Sequence, residues 1–153
     1  MKNYFMKEAL KEARKSYEKK EVPIGAVVVL NGEIIGRGHN LKIITKDPTA
    51  HGEIIAIKEA CKNVNHWWLE NCEIYTTLEP CPMCMGAMLN ARIKKLYIGA
   101  KDERMGASGS LLDLSKLNGY NHSFEVEFGI MERECREILS EFFKEIRKEK
   151  LTR

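Results

Sequence analysis

The chain has 153 residues and a net charge of +3, from 25 Lys and Arg against 22 Asp and Glu. That length fits one domain, residues 1–153, with a real core, and 44% hydrophobic residues is ordinary for a globular protein. No run approaches the roughly 18 apolar residues of a membrane span, Met1 to Lys20 holds no apolar signal-peptide core, and five cysteines are an odd number for a disulfide framework. The expectation is a cytoplasmic chain with no membrane partner, whose charge permits nucleic-acid binding without demanding it.

Asn3 is placed to cap a helix from about Tyr4 to Lys20, with Phe5, Ala9, Leu10, Ala13 and Tyr17 as its apolar stripe. Ile24 to Leu30 reads as a nearly continuous apolar strand. Asn31-Gly32 is the strongest short hairpin signal, so Glu33 to His39 returns as a second strand. Asn40 to Lys46 reads as a polar loop. Asp47-Pro48-Thr49-Ala50 is a helix-start pattern with a capping residue and an early proline. The helix it opens carries His51 and Glu53 and runs through Ile54, Ile55, Ile57 and Ala60. His66-Trp67-Trp68 precedes a third strand, about Glu73 to Thr77. The aromatic pair is read as core or interface packing, although such rings also stack on bases.

Leu78-Glu79 leads into Pro80-Cys81-Pro82-Met83-Cys84. Proline is favoured at the first helical position, so Cys81 caps a helix reaching about Ala91. Lys95 to Gly99 is a fourth strand. Ala100 to Tyr120 is a long loop with Gly106, Gly109 and Gly119, of the kind that is usually functional or mobile. Phe124 to Phe128 alternates as a fifth strand. A last helix, about Met131 to Lys150, sets Met131, Cys135, Ile138, Leu139, Phe142 and Ile146 on one face. Strands and helices alternate after the hairpin. This predicts a three-layer α/β domain around a five-stranded mixed sheet, with its ligand site beyond the carboxyl ends of the strands.

Cys81 and Cys84 are neighbours in one helical turn, about 5–6 Å apart at Cβ. That suits two sulfurs on one metal at about 2.3 Å each, and a helix start favours thiolate over thiol. Alone, such a pair is open between structural zinc, redox chemistry and burial. His51 offers a third ligand as a neutral imidazole. Glu53, two residues on, does not share a face with His51 along a helix, but off a helix end both converge. Three protein ligands and one open position is the catalytic zinc pattern. Zinc brings the pKa of a bound water to about 7, and a carboxylate that is not a ligand can move the proton. Glu79 is read either as a carboxylate holding backbone N–H groups near the metal or as an ordinary strand-end residue. Cys61, Cys72 and Cys135 are left as small buried hydrophobes.

The spacing His-x-Glu … Pro-Cys-x-x-Cys is the recognised signature of the zinc nucleobase deaminases. Over nearly its whole length the chain resembles the bacterial tRNA-specific adenosine deaminases. The resemblance runs through Glu21-Val22-Pro23-Ile24-Gly25-Ala26-Val27, Asp47-Pro48-Thr49-Ala50-His51 and Thr77-Leu78-Glu79-Pro80-Cys81. It continues in Gly106-Ala107-Ser108-Gly109-Ser110-Leu111-Leu112-Asp113, Asn121-His122 and Phe142-Phe143. It implies an α/β/α cytidine deaminase-like fold, one zinc per subunit on His51, Cys81 and Cys84, and Glu53 as proton shuttle. It also implies substrate contacts: Asn40 with the adenine, Asn121 near the flipped base, Val22 and Leu78 in matching segments, Asp102 near the RNA backbone, and Phe142 in a terminal RNA-contact region. Taken without the resemblance, Asn40 and Asn121 are turn residues. The implied partners are a tRNA anticodon loop and a second copy of the chain. Gly52 stands where the family has alanine, a change worth about 0.5–1 kcal/mol inside a helix.

The implied activity is hydrolytic deamination of adenosine to inosine at the wobble position. Two other readings share parts of the pattern. One is a zinc deaminase acting on free guanine, cytosine or a nucleoside. The other is a non-catalytic RNA-binding module whose zinc is closed by a fourth ligand, Cys72 or Cys61.

Overall fold

The computed structural model describes residues 1–151. In chain order the elements are α1 (Lys2–Glu18), β1 (Gly25–Leu30), β2 (Glu33–His39), α2 (Lys42–Thr45), α3 (Gly52–Val64), β3 (Cys72–Leu78), α4 (Pro82–Ala91), β4 (Lys95–Ala100), β5 (Glu125–Phe128) and α5 (Glu132–Leu151). The five strands form one sheet in the order β2-β1-β3-β4-β5. β1 runs antiparallel to both its neighbours, and β3, β4 and β5 are parallel. The Asn31-Gly32 turn has positive φ at both residues, as the hairpin requires.

Alternation along the strands sends side chains to two faces. Val28, Ile74, Leu96 and Ile98 pack with Ala56 and Ala60 of α3 and Met85 and Met88 of α4. Val27, Val29, Tyr75 and Tyr97 pack with Phe5, Met6 and Ala9 of α1 and Cys135 of α5. These two clusters are the two cores of a three-layer α/β/α arrangement, as the alternation of elements predicts.

β2 and β3 are both antiparallel to β1, so they point the same way with one strand between them. Two strand spacings amount to about 9.6 Å, which matches the 8–10 Å between packed helix axes. The helices that follow, α3 and α4, therefore lie side by side on one face with their starts at the same edge. Two glycines bring α3 close to the sheet. A Cβ at Gly36 would lie 2.3 Å from the Ala56 carbonyl oxygen, and one at Gly38 would lie 2.2 Å from that of Gly52.

Four local expectations need correction. Met1, and not Asn3, is the N-cap of α1, and Asn3 lies inside that helix. Residues 42–45, expected as loop, form α2, because the buried Glu21 carboxylate accepts the N–H groups of Ile43 and Ile44 at 3.1 and 2.8 Å. Asp47 does not cap α3. It closes a turn by accepting the Thr49 N–H at 2.8 Å, and the helix starts at Gly52 with His51 as its N-cap. The two tryptophans do not fill the core. Trp67 is 61% and Trp68 44% exposed, packed on each other with ring centroids 4.9 Å apart, while Leu69 takes the buried place.

Candidate metal centre and catalytic site

His51 and Cys81 hold equivalent places. Each is an N-cap with extended backbone, φ −78° and ψ 150° for His51, φ −74° and ψ 171° for Cys81. Neither makes a side-chain capping bond, so both side chains are free to point off the helix ends. Pro82 occupies the first turn of α4, as expected. His51 Nδ1 lies 3.6 Å from Cys81 Sγ and 3.5 Å from Cys84 Sγ. The three donor atoms fall within 4.8 Å of one another, and no fourth Cys, His or carboxylate among the described residues joins them. Cys61 instead faces the Trp67 carbonyl, and Cys72 is buried in the sheet core. The closed structural site that either would complete does not form here.

Electrostatics around the cluster favours a cation. The hydrogen bond from Cys84 pulls the Cys81 thiol down to about 4. The same bond, with burial, pushes Cys84 up, and the bond to Cys81 raises His51. The two thiols and the imidazole thus share protons that a divalent metal would displace. Two sulfurs and one nitrogen at this separation match the donor set of zinc. Glu53 adds an independent observation. It is 3% exposed, its Oε1 has no hydrogen-bond partner, and burial pushes its carboxyl up to about 7. A buried carboxylate oxygen without a partner is rare and costly, and this one borders the three donors. His51, Cys81, Cys84 and Glu53 are all brought together, as the spacing predicts.

Asn40 is buried at the end of β2, and its Oδ1 accepts the Gly52 N–H at 2.8 Å. This satisfies a free N–H at the start of α3. Its side-chain amide nitrogen has no partner among the described residues. Gly52 is therefore a first-turn residue and not an interior one, so the interior-helix cost does not apply. A Cβ there would meet the Ile24 oxygen at 3.0 Å and His39 Cα at 3.1 Å, tight for an alanine.

Other expected contacts are placed less centrally. Val22 and Leu78 are half-buried, Leu78 against the α1 and α5 core. Asp102 accepts the N–H groups of Arg104 and Met105 at 3.0 and 3.2 Å, fixing a turn. Asn121 is exposed and makes no hydrogen bond among the described residues, while His122 Nε2 pairs with the Ile93 oxygen at 2.9 Å. Phe142 is only 6% exposed and packs on Tyr17 with centroids 5.7 Å apart, whereas Phe143 is 44% exposed. Of the two phenylalanines, Phe143 is the one that faces outward.

Glu79 resolves one of the open readings. Its carboxylate accepts N–H groups from Asp102, Ser108 and Ser110 at 3.1, 3.0 and 3.1 Å, and the Ser110 hydroxyl as well. It ties the glycine-rich loop to the residues just before Cys81. The loop's return is closed by a bridge between Ser108 and Asp113.

Comparison with known proteins agrees with this geometry. A family model, MafB19-like deaminase, matches residues 1–147. The tRNA-specific adenosine deaminase of Bacillus subtilis is 51% identical over 146 residues, 95% of this chain and 91% of that protein. That of Aquifex aeolicus is 47% identical, covering 95% and 96%. A solved structure from a study of A-to-I editing by tRNA:A34 deaminases superposes with a TM-score of 0.84 at 44% identity, covering 89% of this chain and 99% of that one. A guanine deaminase of Nitrosomonas europaea, at 21% identity and a TM-score of 0.76 over 92% and 83% of the two chains, shares the fold. With its His-Cys-Cys cluster, a buried glutamate with one unpaired oxygen, and a five-stranded mixed sheet, the chain belongs to the tRNA-specific adenosine deaminases of the cytidine deaminase-like fold.

Proposed function

We propose that the protein, as a single cytoplasmic catalytic domain, hydrolyses adenosine to inosine and ammonia at the wobble position of a tRNA anticodon loop. The observation that carries the chemistry is Glu53: a buried carboxylate with an unpaired oxygen beside a three-donor metal cluster. His51, Cys81 and Cys84 would hold one zinc ion per subunit. Zinc bound there supplies Lewis-acid activation of a water. Glu53 would move the first proton of the water to ring nitrogen 1 as its oxygen adds to carbon 6 of the adenine, and then the second proton to the amino group, which leaves carbon 6 as ammonia. The base must be flipped out to reach this buried group, which costs least in a single-stranded loop. Asn40, with Oδ1 committed to Gly52, offers its free amide hydrogens to the base. Val22 and Leu78 would contact the substrate only from the margin of the site, and Asp102 would order a turn facing the RNA backbone. Asn121 and the Phe142-Phe143 corner lie further along the RNA path. The identity to curated tRNA enzymes supports this substrate over a free base. The test is sequencing of tRNA after treatment. Inosine at the wobble position supports the reading, and ammonia released from guanine or cytosine with unmodified tRNA overturns it.

We further propose a homodimer. α4 buries Cys84, Met85, Met88, Leu89 and Ala91, while Met83 is exposed and nothing lies within 4 Å of where a Gly86 Cβ would stand. Pro82, Met83 and Gly86 thus form an apolar, close-approach face on the outer side of α4, suited to two-fold pairing. Light scattering at micromolar concentration is expected to give about twice 17.6 kDa. A mass at the single-chain value removes the dimer.

A further inference from the structure

Two carboxylates outside the metal centre are buried with no ion-pair partner among the described residues: Glu21 and Glu79. Unpaired charges are costly to bury and survive only where hydrogen bonds satisfy them. Both are satisfied almost wholly by backbone amides. Glu21 accepts Ile43 and Ile44 N–H. Glu79 accepts those of Asp102, Ser108 and Ser110, with the Ser110 hydroxyl. Gly106 makes room for this: a Cβ there would lie 2.3 Å from the Glu79 carboxyl carbon.

Packing holds these segments only in part: between residues 101 and 112 the loop after β4 is anchored in the core at Ala107 alone among its apolar side chains. α2 has no buried residue. In the loop after β4, Met105, Leu111 and Leu112 are exposed, as are Ile43 and Ile44 of α2. Both segments border the metal centre. The Leu41 N–H, just before α2, bonds the Ala50 oxygen at 3.0 Å, next to His51. The Ala107 N–H bonds the Pro80 oxygen at 2.8 Å, next to Cys81, and Ser108 Oγ contacts Met85 Sδ at 3.1 Å, next to Cys84. α2 is thus one bank of the pocket and the 101–112 loop the other. Each bank presents large apolar side chains to solvent, pinned from beneath by a buried carboxylate. Flipped bases are held between aromatic or apolar side chains, and both banks offer apolar ones.

We propose that Glu21 and Glu79 are positioning residues for the polynucleotide: they fix the two banks so that the exposed side chains grip the anticodon loop, and they serve binding and not the chemical step. The proposal rests on the tRNA reading above. Glu79→Gln and Glu21→Gln each keep size but set an NH₂ against backbone N–H donors. In both, KM for tRNA is expected to rise at least tenfold, and the effects to multiply in the double variant. kcat is expected to stay within twofold and zinc content to stay unchanged. Amide exchange should quicken at Ser108 and Ser110 in the first variant and at Ile43 and Ile44 in the second. Loss of zinc or of kcat with KM unchanged overturns the proposal, as does faster exchange with unchanged KM. Should the glutamine variants fail to fold, Ile43→Ser with Ile44→Ser alters one bank without touching its clamp. A raised tRNA KM then supports the proposal and an unchanged one overturns it. Wild-type protein measured alongside separates the two failures. If it forms no inosine, the tRNA reading itself falls. If it does, and the variants keep its KM, only the positioning role falls.

Discussion

Glu53→Gln is expected to lower deamination by about 10²-fold to 10⁴-fold, the usual contribution of a positioned proton-transfer group. The amide matches the carboxylate in shape but cannot carry a proton between water, ring nitrogen and leaving group. Fold and metal should be untouched, because Glu53 is not one of the three clustered donors. Thermal stability should hold or rise, since the buried Oε1 has no hydrogen-bond partner to lose and a neutral amide is cheaper to bury than a charge. Inosine formation, zinc content by atomic emission and a melting curve on one preparation check all three. Turnover near the wild-type rate would remove Glu53 as the proton shuttle.

Gly38→Ala is expected to cost stability by about 3 kcal/mol, at the upper end of overpacking effects, and to damage activity with it. The new methyl would meet the Gly52 oxygen at 2.2 Å and the Ala56 nitrogen at 2.5 Å. Both are backbone atoms of α3, which cannot rotate away as a side chain can. The helix must retreat from β2, and His51 and Glu53 move with its first turn. Misplacement of this order weakens catalysis steeply. Urea unfolding monitored by circular dichroism gives the stability change, and zinc retention reports the site. A variant with wild-type midpoint and activity would show that α3 does not rest on the sheet at Gly38.

The two tests sample different degrees of legibility. Glu53, His51, Cys81 and Cys84 stand out in the sequence because zinc chemistry constrains residue type and short-range spacing, and both motifs sit at helix starts whose signals are local. The order of strands and helices is legible for a similar reason: apolar periodicity is a local property. Gly36 and Gly38 pass unmarked within the expected strand Glu33 to His39, since the surface they admit belongs to a helix 14 to 24 positions later. α2 is hidden because its order comes from Glu21, over 20 residues upstream. The alternative readings of Glu79 could not be separated either, as all its donors lie at positions 102–110. The tryptophans mislead in the opposite sense. Their apolar character predicts core or interface packing, but Leu69 beside them already fills the site facing the core, which rules out the first of the two.

Those tryptophans have a practical consequence for anyone following the protein by light. They are the only two in the chain. They sit before β3, whose seven residues separate them from Cys81 by about 20 Å of strand. Their emission in the folded protein should already lie toward the red, as for rings in contact with water, and unfolding should shift it little. Ligands entering the pocket should leave it nearly unchanged. The near-ultraviolet dichroism of Tyr75 and Tyr97 is the better optical probe, because these rings stack 4.4 Å apart inside the α1 and α5 core and lose their asymmetric surroundings only when that core opens.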